Sequence, residues 1–242
     1  MQYKEEFDLL RQQIPIVIRH GLNLLSKSNG NINEARRWFE EEMIQVIIHK
    51  TSVSPEVAQK HLLACEYDIA RTIAGIDEER FTLSERILRK AKDNKEKALD
   101  LIGHNLEDAK KIERKYWLKL DELEQLSPVQ YCLLAVKEWL DYEDYEGFSC
   151  AVYFYLDIAA QQIEEQLLLP ELANGLRAAR KISNELFEQH KRKSAAKKFP
   201  IVSKLLNENP VYISSKDGFR KIRPVVIDRL YDLVVNNIEQ FS

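Results

Sequence analysis

The chain has 242 residues, of which 31% are charged and 45% hydrophobic, with a formal net charge of −3 at pH 7. That length buries a core without disulfides or metals, and the near balance of charge leaves no global field of the kind that marks a dedicated nucleic-acid or membrane binder. Seven Gly and seven Pro are few, which suits long helices rather than a many-stranded sheet.

Cys65, Cys132 and Cys150 have no paired spacing and read as buried free thiols in a reducing compartment. The opening MQYKEEFDLL lacks the apolar core of a signal peptide, and stretches such as Ile14 to Ile18 are too short to span a bilayer. The expectation is a cytoplasmic protein that does not enter a membrane.

In chain order, residues 4–27 carry Phe7, Leu10, Ile14, Ile18, Leu22 and Leu25 at helical spacing, and Pro15 kinks or divides the run. Gly30 stops it, and Asn31 caps the next helix over about 32–50, with Ala35, Trp38, Phe39, Met43, Val46 and Ile47 on one side. Ser54 caps a further helix whose first residue is Pro55. The dense charge over 105–126 predicts a long exposed helix linking two parts.

Ser127-Pro128 opens the second half, where 128–142, 147–169 and 170–196 read as helices. The middle one is apolar nearly all round and reads as the centre of a bundle. Pro200 and Pro210 bracket a short helix. Asp217-Gly218 between Val211-Tyr212-Ile213 and Phe219–Ile222 suggests a small hairpin over 211–222, and Pro224 opens a last helix.

One helical signature occurs three times: Gly21, Leu25, Asn31, Ala35; Ala58, Leu62, Asp68, Thr72; Ser84, Leu88, Asn94, Ala98. An apolar residue follows each, at Phe39, Ile76 and Ile102. The small residues let short helices cross closely, each Leu fills a three-helix core, and each Asn or Asp caps the third helix. Residues 41–79, with the loop Thr51-Ser52-Val53-Ser54, resemble a ubiquitin-associated (UBA) domain, and more closely the UBA-type module of elongation factor Ts. Ser52 stands where that family's loop carries Gly. The first copy, ending in Trp38-Phe39, resembles the last two UBA helices, and its third helix continues into the first helix of the middle copy.

The organisation read from these features is all-α. A tandem UBA-like array spans 1–104, a linking helix 105–126, and a C-terminal bundle 127–242. The resemblance implies a non-catalytic protein–protein interaction module, an adaptor or regulator of another protein. Its partner surface would comprise Thr51, Ser52, Val53 and Ser54 with Ile73 and Ile76.

The alternative is a nucleic-acid-binding regulator using Arg177, Arg180, Lys181, Lys191, Arg192, Lys193, Lys197, Lys198, Lys216, Arg220, Lys221 and Arg223, with Phe199, Tyr212 and Phe219 interleaved for stacking. A solvated face is the simpler use of those charges. A second alternative is an enzyme whose site hides between the helices of 128–196. The five histidines have no metal spacing, and no catalytic residue, cofactor or metal set is read. Gly147-Phe148-Ser149-Cys150-Ala151 is not a nucleophile elbow, because no strand pattern precedes it. The acidic, aromatic run from Trp139 to Phe148 offers Tyr142, Tyr145 and Phe148 as a patch for a basic partner, or as side chains folded inward at a helix connection.

Overall fold

The computed structural model describes residues 2–123 and 125–241, and every regular element among them is helical. The all-α expectation holds. None of the helices is long and apolar enough to cross a membrane. The chain divides into two compact units, residues 1–82 and 83–242. This boundary replaces the 104/127 division expected from charge density.

The first unit has five helices: α1 (Lys4–Gln13), α2 (Ile18–Lys27), α3 (Ile32–Thr51), α4 (Pro55–Ala64) and α5 (Ile69–Arg80). Pro15 lies in the break between α1 and α2, so the long apolar run is divided rather than kinked. Gly21 is needed at the α1–α2 crossing, since a Cβ there would lie 2.5 Å from Phe7 Cε2. The 20-residue α3 serves two cores. Its first half closes one with Phe7, Leu10, Leu24, Leu25 and Phe39, and its second half closes another with Ile47, Ala58, Leu62 and Ile76. Met43 and Tyr67 pack against both.

The caps fall where the sequence places them. Asn31 accepts from Glu34 N at 3.2 Å, Asp68 from Arg71 N at 3.0 Å, and Asn94 from Lys97 N at 3.0 Å.

The second unit has α6 (Leu83–Lys90), α7 (Lys95–Lys110), α8 (Pro128–Glu146), the single turn α9 (Phe148–Ala151), α10 (Leu156–Glu165), α11 (Pro170–Gln189), α12 (Ala195–Glu208) and α13 (Pro210–Val235). One large core joins them, centred on Trp139, Phe148, Leu176, Phe219 and Val226.

The third copy of the signature belongs to this unit and forms no module of its own. Ser84 is buried and donates its hydroxyl to the Phe241 carbonyl near the C-terminus, and Ile102 joins the large core.

Three further expectations are corrected here. The linking helix over 105–126 is absent: α7 ends at Lys110, Lys111 turns left-handed at φ 54°, and residues 112–119 run irregularly to a 3-10 turn at Leu120–Glu122. The expected central helix over 147–169 is broken by turns at 152–155, where Tyr155 sits at φ 43°. The hairpin over 211–222 is helical, inside the 26-residue α13, which also runs through Pro224. Tyr212, Phe219 and Val226 recur every seven residues and are all buried, so the pattern is one helix face. The Asp217-Gly218 pair lies within that helix and makes no turn.

Candidate functional site

An apolar hollow of the second unit lies among α8, α9, α11 and α12. It measures about 410 Å³ and is lined by Tyr142, Ser149, Cys150, Tyr153, Phe187, Phe199, Val202, Ser203 and Leu206. Each wall has a local cause. Gly147, at φ 83°, ends α8 and turns the chain into α9, which brings Ser149 and Cys150 to the rim. Phe148, one residue earlier, points inward against Phe219 at 5.8 Å and Tyr212 at 5.7 Å. Tyr142 stacks flat on Phe154 at 3.9 Å, and Trp117 meets both rings edge-on at 5.0 and 5.6 Å. That cluster fixes one wall.

On the opposite side Tyr153 meets Phe187 at 5.8 Å, and Phe187 meets Phe199 at 6.4 Å. Phe199 remains 58% exposed, so the groove has an open aromatic lip. Burial pushes the Tyr142 and Tyr153 phenols up, which keeps them protonated at neutral pH.

A second hollow of about 240 Å³ adjoins the first along Ser149, Ser203 and Leu206. It is more polar, with Asn207, Lys216 and Arg220 on its walls. Lys216 and Arg220 lie one turn apart on α13, below the buried Tyr212. Burial drives the Tyr212 phenol up to about 12.

The basic residues singled out in the sequence do not form one free surface. Arg177 pairs with Glu164 at 2.6 Å, Arg180 with Asp157 at 2.5 Å and Lys191 with Glu188 at 3.2 Å. Arg223 bridges Glu96 at 2.8 Å and Asp144 at 2.5 Å. Lys198 sits over the Phe187 ring at 5.3 Å. Lys181, Arg192, Lys193, Lys197 and Lys221 are exposed. Among the stacking candidates, Tyr212 and Phe219 are buried and only Phe199 is exposed.

The sequence-derived partner surface on the first unit is partly core. Thr51 is buried, with its hydroxyl donated to the Ile47 carbonyl at 2.7 Å, and Ile76 is buried beside Leu62. Val53 packs on the same cluster, Ser54 caps α4 through Val57 N at 3.4 Å, and Ile73 is half-buried. Of the six, Ser52 and Ser54 are exposed. The acidic, aromatic run is likewise split: Tyr145 is exposed, Tyr142 half-buried and Phe148 inside.

With the geometry in place, known proteins fix the relationship. A family model described as the YfbN C-terminal domain matches residues 82–239, nearly the whole second unit. This chain belongs to the YfbN family. It is also 36% identical over 186 residues to the uncharacterized protein YfbN of Escherichia coli strain K12, covering 77% of each chain. No solved structure matches.

Membership in this family corrects the likeness to the UBA and elongation factor Ts modules, neither of which is matched. The fold supplies the physical reason. Leu, Asn and Ala at those spacings report a close helix crossing, a filled core and a cap, which any helical bundle needs; the continuous α3 expected between the first two copies is present and serves both cores. The second half is the YfbN C-terminal domain.

The groove escaped the sequence reading because its lining residues are scattered over 142–206 and lack a motif. The one local signal was Gly147-Phe148-Ser149-Cys150, which does reach the rim, though from a helix end and not from a strand.

Proposed function

We propose that the YfbN C-terminal domain is a non-catalytic recognition module that receives an apolar anchor of a partner protein in its aromatic groove. The carrying observation is the lining itself. Four aromatic rings and two aliphatic side chains surround about 410 Å³, a volume within the range of ligand sites. Ser149, Cys150 and Ser203 are of nucleophilic type, yet His, Asp and Glu do not occur among the lining residues, so the hollow itself offers none of them a general base. Aromatic anchors in a preformed hollow are how protein interfaces concentrate affinity.

A random peptide display library selected on the immobilised full chain tests this. Enriched peptides should carry a bulky apolar residue and should lose binding to the Ser203→Trp variant, whose added ring fills the half-buried junction of the two hollows. Enriched peptides that bind the variant as well as the wild type would place recognition elsewhere.

A further inference from the structure

The two hollows share Ser149, Ser203 and Leu206, and they differ in chemistry: one is aromatic and the other carries two cations. The state of those cations matters most. One turn further along α13, Arg223 is consumed by Glu96 and Asp144. Among the described residues Lys216 and Arg220 take part in no ion pair of that kind. Glu143 on α8 lies within the electrostatic reach of both, but burial and its neighbour Asp144 raise its pKa, and it closes no ion pair with either cation. Lys216 and Arg220 therefore face a hollow with uncommitted donors, beside the Ser149 and Ser203 hydroxyls and the Asn207 amide.

Resting on the groove reading, we propose that Lys216 and Arg220 bind a carboxylate of an acidic peptide whose apolar anchor fills the adjoining aromatic hollow. A guanidinium offers a planar fork that matches a carboxylate, and an ammonium adds a mobile point charge. The charged side chains that line this hollow are both cationic, so complementarity selects an acidic segment over a neutral or basic one. The apolar anchor supplies most of the affinity, and the cations select the sequence next to it.

The test uses the same peptide selection. Enriched sequences should place Asp or Glu within a few residues of the apolar anchor. Replacing those acids by their amides should weaken binding to the wild type roughly tenfold, the equivalent of about 1.4 kcal/mol. In the Lys216→Ala/Arg220→Ala variant that difference should shrink to within about twofold, with the amide peptide binding both proteins equally. Lys216→Arg should retain the preference, which separates charge from a loss of folding. Groove-dependent peptides without an acidic bias, or an acid preference that survives the double variant, would overturn the carboxylate site and leave the groove reading standing. A library that yields no Ser203→Trp-sensitive peptide would overturn both.

Discussion

Arg114 Nη1 lies 2.8 Å from Glu138 Oε2, and Glu138 is only 1% exposed. The same guanidinium grips Glu107 through two bonds of 2.8 and 2.9 Å, and the second Glu138 oxygen accepts the Leu118 N–H. Burial pushes the Glu138 carboxyl up, against the pull of Leu118 and Arg114. This one carboxylate therefore ties the irregular 112–119 segment to α8. That segment also presents Trp117 to Tyr142, a wall of the groove.

Removing one partner of a buried pair strands the other charge. Arg114→Ala should cost roughly 3 kcal/mol, within the range for breaking such pairs. Glu138→Gln should cost less, because its amide oxygen still accepts from Leu118 and Arg114 keeps Glu107. Urea unfolding followed by tryptophan fluorescence checks the order. An Arg114→Ala protein as stable as wild type would show that the segment is held by packing alone.

Parts of this were legible in the sequence. Asn31, Asp68 and Asn94 cap helices because capping depends on a side chain and an amide three residues away, which sequence spacing records. Leu25 and Leu62 are buried for an equally local reason, the 3.6-residue period. What failed depended on distant partners. Arg114 sits in a charged run that reads as solvated, and only the position of Glu138 gives it a buried role. Phe219 reads as a β-former until Trp139, 5.1 Å away, shows which face it fills. The groove needs α12 laid on α11 and α13 across from α9, and no residue of α12 or α9 announces that.

Leu62 should be the most sensitive position of the second core in the first unit. It is enclosed by Ile47, Ala58 and Ile76, a cluster of only four buried residues with partly buried neighbours. Leu62→Ala should cost about 2–5 kcal/mol, the range for buried Leu truncations. Hydrogen exchange should show amides of α4 and α5 losing protection. Unchanged protection there would mean that α3 alone orders these helices.

Ser52 is a position where substitution should help. It caps α3 in the left-handed region, φ 55° and ψ 32°, with its N–H donated to the Ile48 carbonyl. A side chain in that conformation is strained by about 1–2 kcal/mol, and glycine is not. The greater freedom of glycine in the unfolded chain returns part of that gain. Ser52→Gly should raise stability by roughly 0.5–1 kcal/mol, seen as a higher urea midpoint. A lower midpoint would mean that the exposed serine makes a stabilising contact of its own.

The second unit should weaken in alkali through two buried acids. Burial raises the Cys132 thiol from its ordinary 9.0 to about 12 and the Tyr212 phenol from 10.0 to about 12. Both are raised, so the folded state holds its protons where the unfolded state has released them. The stability they carry is complete below their ordinary values and is lost as pH climbs toward the folded ones. For Cys132, fully buried, the loss across that window is on the order of 4 kcal/mol. Unfolding midpoints should therefore fall steeply from about pH 9 to about pH 11, where unfolded thiols ionise. Cys132→Ala starts lower because it leaves a small void, yet its midpoint should fall less over the same interval. Parallel profiles for the two proteins would show that the thiol ionises as readily in the fold as in the unfolded chain, and that its burial does not hold the proton.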